Sequence, residues 1–351
     1  MTSQSPLESS TMLKPVVFII FTIGILSSAI AGEAGVPVTG YPAVSAAINK
    51  TLHTWLYDPA ELETPAYQRI ETQVEALALS AASDEAFIEG FREIWKDGPF
   101  SHVELRKAQQ PAAELASYFD TLRVGGGGAQ LTWMDNVAIL TVNTMMGLDT
   151  IEEIDAAYIE IASHGASALM IDLRENPGGA FAVRPLVAHL LSEKFDAGVF
   201  VSRQWYATND RPPSAVEMQA VEPWEGWSIT AFWADVQKNA LTGISFIPVE
   251  PVYTGPVYVL TSKRTASAAE LATDALRGSG RALVIGENTA GEMLSQKIFD
   301  LPGGFHLSLP VADYYSISNG RIEGSGIKPD IGTDAADALN TALSIKPGNG
   351  S

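Results

Sequence analysis

Tyr253–Leu276 reads YTGPVYVLTSKRTASAAELATDAL. Gly255-Pro256 opens an unbroken apolar run, Val257–Thr261, of the length of a buried strand. A polar turn follows and delivers Ser267 to the start of a helix over Ala268–Arg277. Strand, turn and helix in immediate succession form the repeating unit of an α/β domain. The same rhythm runs to either side. Val137–Val142, Ala168–Asp172, Val199–Ser202 and Ala282–Ile285 read as strands, and Thr150–Ser163 and Phe181–Leu191 as helices between them. Phe305–Tyr315 alternates like an antiparallel strand, and Ala335–Ile345 closes the chain as a helix. The alternation predicts an α/β fold with a largely parallel sheet.

Upstream the period becomes helical. Ala47–Trp95 carries apolar residues at helical spacing, among them Ile70, Val74 and Leu77, then Phe87, Phe91, Ile94 and Trp95. Pro111–Leu122 is a further amphipathic helix. These predict a tether and small helical N-terminal domain over residues 32–124, and an α/β catalytic domain over 130–351. Gly125–Gly128 lies between them; no Lys-Ser/Thr pair follows, so it reads as a hairpin or connector rather than a phosphate cradle. Residues 203–251 break the rhythm with Trp205, Trp224, Trp227, Phe232 and Trp233 among prolines and acids. They read as an insertion that buries its own aromatics and, as a by-product, walls or lids a cleft. At the N-terminus, Lys14, the apolar run Val16–Leu26 and the small residues Ala29 and Ala31 form the pattern of a secretory signal peptide, residues 1–31, cut after Ala31. The run is short for a span, so no stable membrane span is expected after cleavage, and a secreted or periplasmic protein is.

The net charge of -19 disfavours nucleic acid, whose phosphates call for a basic face. The absence of cysteine excludes disulfides, thiolate catalysis and Cys-based zinc sites. The five histidines, His53, His102, His164, His189 and His306, show no i, i+4 helical pair, so neither metal nor other cofactor is expected.

Three stretches can carry chemistry. Ser267 at a helix start has unpaired backbone N–H groups and a favourable dipole beside it, both suited to a developing oxyanion. Ser267 with Glu270 is equally the pattern of a capping box, which spacing alone favours. Ile171–Ala180, IDLRENPGGA, ends a buried strand in a loop whose Gly178-Gly179 pair allows close backbone approach, or simply turns the chain. Phe100–Leu105 contains His102, a base of the kind a serine nucleophile needs, with His306 as its only rival.

Together DLRENPGG, GPVYVLTSKRTASAAELATDAL and RALVIGENTAG, in that order, make the segment from about Val137 to Ile331 resemble the C-terminal processing peptidase superfamily. That superfamily includes the tricorn core and the interphotoreceptor retinoid-binding modules. The resemblance implies a crotonase-like core of stacked strand-helix units. It also implies Ser267 as nucleophile, with an oxyanion hole from the N–H of Ala268 and of a glycine in the Gly178-Gly179 turn. The processing branch has a lysine base where this chain has Glu292, with Lys297 the nearest substitute. The tricorn-like branch matches better, pairing Ser101-His102 with Glu323 of Glu323-Gly-Ser-Gly326-Ile-Lys-Pro329-Asp330. There His102 is the base and Glu323 orients it, directly or through Ser101. Too little chain lies between His102 and Trp133 for the peptide-binding PDZ module that many members carry.

The expectation is therefore a serine peptidase, endopeptidase or tail-specific, acting through an acyl-enzyme on Ser267. Its substrates would be peptides or unfolded proteins, and it would be a possible homo-oligomer. The competing expectation is a non-catalytic binder of a hydrophobic small ligand, as the retinoid-binding modules and the tryptophan-rich insertion suggest.

Overall fold

The computed structural model of the chain describes residues 40–345. The expected signal peptide lies outside the described residues. In chain order the elements are α1 (Tyr41–Trp55), α2 (Pro65–Ser80), α3 (Asp84–Trp95), β1 (Glu104–Lys107), α4 (Ala112–Thr121), β2 (Ala129–Met134), β3 (Val137–Val142), α5 (Leu148–His164), β4 (Ala168–Asp172), α6 (Val183–Ala188), β5 (Phe195–Ser202), α7 (Arg203–Tyr206), α8 (Ala215–Gln219), α9 (Ile229–Asp235), β6 (Leu241–Phe246), β7 (Val257–Thr261), α10 (Ala268–Gly278), β8 (Leu283–Gly286), β9 (Leu294–Leu301), β10 (Phe305–Ser316), β11 (Gly320–Arg321), β12 (Ile331–Gly332) and α11 (Ala338–Ser344). Among the described residues no helix is long and apolar enough to cross a membrane.

The strands form two sheets. One has the order β12-β8-β7-β4-β3-β2, parallel except for the β2–β3 hairpin. Its strands are apolar on both sides because both faces are covered. Leu169, Ile171 and Val259 join the core shared with α5, α6 and α10, while Met170, Tyr258 and Leu260 pack with Ala338 and Ala342 of α11. The second sheet is antiparallel, ordered β1-β10-β5-β6, with β9 and β11 also pairing with β10. α10 lies against both sheets. Every residue from Ala268 to Leu276 is buried, and the Asp274 carboxylate accepts from Tyr314 at 3.0 Å, Ser316 at 2.9 Å and Asn319 at 2.6 Å.

Several local expectations are refined. β10 is buried along nearly its whole length instead of alternating, because neighbours pair with it on both sides and clusters cover both its faces. α6 starts at Val183 rather than Phe181 because the N–H groups of Ala180 and Ala182 both donate to the Met145 carbonyl, which holds residues 180–182 against β3's exit. The insertion ends in strand β6, paired with β5; its sequence LTGISF is broken by Thr242, Gly243 and Ser245 and carries no strong strand period. The N–H groups of Gly125 and Gly126 do cradle an anion, and it is the protein's own: the Asp149 carboxylate at the start of α5, at 2.8 and 3.0 Å.

Candidate active site

In open parallel sheets, loops at the carboxyl ends of the strands converge on one edge, and ligands bind there. Here β4, β7 and β8 end in Asn176–Gly179, in the turn before Ser267 and in Thr289–Leu294 respectively.

The first two loops are bonded together. Thr265 donates its hydroxyl to the Leu173 carbonyl at 2.8 Å, and the Ala266 N–H donates to the Asn176 carbonyl at 3.1 Å. Asn176 is fully buried; its amide donates to Val142 at 2.9 Å while its side-chain oxygen accepts from the Gly178 N–H at 2.8 Å. A Cβ on Gly178 would lie 2.6 Å from the Ser267 Cβ and 2.7 Å from the Ala266 carbonyl, so only glycine fits against the serine.

Gly178 therefore contributes room and contact, and the expectation that it could offer a free N–H to an oxyanion is corrected: Asn176 occupies that N–H. Among the described residues, the N–H groups of Gly179 and Ala268 have no acceptor. These are two unpaired donors in the two segments that meet at Ser267.

Ser267 has φ 53° and ψ -121°, in the positive-φ region that is sparsely populated for residues with a Cβ. Ser267 forms the capping box with Glu270 expected from spacing. Its N–H donates to Glu270 Oε2 at 3.0 Å, while the Glu270 N–H donates to the Ser267 carbonyl at 2.8 Å. Glu270 is completely buried and accepts three further bonds, from the Thr289 hydroxyl at 2.6 Å and the N–H groups of Gly291 at 2.8 Å and Glu292 at 2.9 Å. Burial pushes its carboxyl up, and these donors oppose the shift.

The second half of the site lies on the stretch before β1 and on the loop after β11. His102 has φ 63°. The Ser101 hydroxyl is 2.6 Å from His102 Nδ1 and donates to Glu323 Oε1 at 2.8 Å. A hydroxyl that donates to the carboxylate can only accept from the ring, so Nδ1 carries the proton and Nε2 the lone pair. That is the tautomer a general base requires. Glu323 Oε2 accepts the N–H groups of Met293 at 2.6 Å and Leu294 at 3.1 Å. Burial pushes the Glu323 carboxyl up, partly offset by these bonds, and pushes the His102 pKa down to about 4.

The two halves are joined by Thr289–Leu294, which bonds to Glu270 at one end and Glu323 at the other. Ser267 and His102 share no direct hydrogen bond. The structure thus assembles Ser101, His102 and Glu323 as one bonded set, and Ser267, Gly178 and Ala268 as another. The rival groups are engaged elsewhere. His306 Nε2 is 3.1 Å from Asp300 Oδ1, and the Lys297 amine sits over the rings of Trp233 at 5.9 Å and Phe299 at 5.3 Å. Thr289, Asn176 and the anchoring function of Glu270 were not singled out by sequence reasoning; the only signals were GENTAG, the NPGG turn and the capping spacing. Beside Gly178-Gly179, the Phe181 ring meets Trp224 at 5.9 Å and Trp227 at 6.0 Å, so aromatics of the insertion reach the edge of the oxyanion turn.

The model of peptidase family S41 matches residues 136–333. The carboxyl-terminal-processing protease of Picosynechococcus sp. is 28% identical over 178 residues, 51% of this chain and 34% of that protein. The chain spans about a third of the length of the curated relatives it matches. Among solved structures, a lipoprotein from Streptococcus agalactiae superposes with a TM-score of 0.59 at 14% identity, over 90% of this chain and 98% of the other. The tricorn protease superposes with a TM-score of 0.51 at 12% identity, over 86% of this chain and 35% of the other. At these identities the superpositions speak for the fold.

Proposed function

This chain belongs to peptidase family S41, and from that premise we propose that it hydrolyses peptide bonds through an acyl-enzyme on Ser267. His102 Nε2 takes the Ser267 proton as the hydroxyl attacks the scissile carbonyl. The tetrahedral oxyanion is held by the N–H groups of Gly179 and Ala268, and the Nε2 proton passes to the leaving amine. Water then repeats the sequence on the ester. Ser101 and Glu323 position the ring and stabilise the imidazolium through the hydroxyl between them. In free enzymes such base contacts are often long and tighten with substrate bound, which accommodates the missing Ser267–His102 bond.

The observation that carries this reading is the Glu323–Ser101–His102 relay, bonded through Thr289–Leu294 to Glu270, the residue that also holds the Ser267 N–H. The substrates are peptides or unfolded polypeptides. The signal pattern in residues 1–31 supports a secreted or periplasmic location. A ligand-binding role draws no support from the insertion, whose Trp224 and Trp227 pack on each other at 5.7 Å and on Phe181.

The test uses a fluorophosphonate probe on residues 32–351, with the labelled peptide mapped by mass spectrometry. Labelling at Ser267 is expected, lost in Ser267→Ala and reduced by at least ~100-fold in His102→Ala. A folded protein that stays unlabelled at Ser267, or a Ser267→Ala variant that still hydrolyses peptides, overturns the proposal.

A further inference from the structure

Three carboxylates lie on or against the segment that joins the two halves of the site, and they differ in one respect. Glu270 accepts four hydrogen bonds and Glu323 three. Glu292 accepts none from any described residue and forms no ion pair, though its own N–H donates to Glu270 Oε2, the oxygen that also accepts from Ser267. The next residue, Met293, donates its N–H to Glu323. Glu292 therefore stands on the backbone between the anchor of the nucleophile and the anchor of the base. Its neighbours Gly291 and Met293 are buried while Glu292 is exposed, so its side chain faces away from the packed interior. Burial in surrounding protein nevertheless pushes its carboxyl up, with no neighbouring charge or hydrogen bond contributing. Because Glu292 and Ser267 donate their N–H groups to the same oxygen, Glu270 Oε2, the exposed Glu292 side chain leaves the backbone close to the nucleophile.

A carboxylate so placed is free to take a cation from a bound chain. Among the described residues no cation pairs with it: Lys297 sits on aromatic rings, Arg264 pairs with Glu175 and Arg321 with Asp313. We propose that the partner of Glu292 is the substrate, and that this carboxylate selects chains carrying lysine or arginine at a position adjacent to the scissile bond. The inference rests on the reading of Ser267 as nucleophile. A cation there gains a partly desolvated ion pair, whereas an acidic side chain meets like-charge repulsion in the same space.

The test is a set of fluorogenic peptides that differ only in Lys, Arg, Gln, Leu or Glu beside the scissile bond, assayed with wild type, Glu292→Gln and Glu292→Lys. Wild type should favour the Lys and Arg peptides over the Gln peptide by ~10-fold or more in kcat/KM, and Glu292→Gln should erase that ratio. Glu292→Lys should move the preference to the Glu peptide. Added salt should shrink the ratio in wild type and leave it flat in Glu292→Gln, because screening acts only on the charged pair. A wild-type enzyme labelled at Ser267 by fluorophosphonate but indifferent to peptide charge overturns this inference alone, as does a cation preference that survives in Glu292→Gln. Absence of labelling in folded wild type overturns the nucleophile reading beneath it.

Discussion

His102 and Ser267 both hold positive φ, at 63° and 53°, although each carries a Cβ. A conformation that disfavours side chains persists where surrounding bonds over-determine it, here the Ser101 hydroxyl beside the ring and Glu270 beside the serine. For His102 the consequence can be measured by titration. Burial lowers its pKa from the ordinary 6.5 to about 4, so the neutral, proton-accepting ring is the dominant form well below neutrality. The acid limb of the kcat/KM profile should therefore fall to half near pH 4, and activity should be flat from about pH 5.5 upward until other groups titrate. A limb centred at 6.5 or above would mean that the Glu323 charge, relayed through Ser101, outweighs burial. Because the folded pKa is depressed, protonation favours the unfolded chain, and His102's contribution to stability is lost as pH falls from 6.5 towards 4.

At the scale of elements, the site depends on how closely the loop after β4 approaches the start of α10. Gly178 has φ 97°, and a methyl group there would meet the Ser267 Cβ at 2.6 Å and the Ala266 carbonyl at 2.7 Å, neither of which can swing away. Gly178→Ala should cost about 1–3 kcal/mol of stability through backbone strain and forced displacement. It should also cut fluorophosphonate labelling by at least ~100-fold, since a shift of about 1 Å is enough to misplace a reacting group. Thermal denaturation and labelling rates measure the two effects; a variant with full labelling would show that the loop and the helix start are not coupled as the geometry implies.

At the scale of the molecule, the N-terminal helices share a core with the antiparallel sheet. Val44, Leu52, Phe87, Phe91 and Trp95 of α1 and α3 belong to one buried cluster with Leu301, Phe305, Leu307 and Leu309 of β9 and β10. Those strands run on from the Thr289–Leu294 segment, so the helices support the site indirectly. Removing residues 40–99 should strip the cover from this apolar face and yield insoluble protein. The full chain should melt in a single calorimetric transition. Two separated transitions, or a soluble and active truncation, would mean that the helices and the sheets are energetically independent.

The parts that depend on short-range chemistry could be read along the chain before any fold was known. The apolar run of β7, the turn and the alanine-rich start of α10 placed Ser267; the NPGG turn and the Ser101-His102 pair were legible for the same reason, that period, turn preference and capping spacing act over a few residues. Partner choice across the fold was decided by tertiary structure alone. Ser101 and Glu323 are 222 residues apart and bond only because the loop after β11 docks on Thr289–Leu294. Gly178 and Gly179 are alike in sequence, yet Asn176 occupies one N–H and leaves the other open. Glu270 looks like a cap partner, yet burial turns it into the anchor of a second loop. Which donor meets which acceptor depends on packing between distant segments, and buried polar groups accept only what that packing brings within reach.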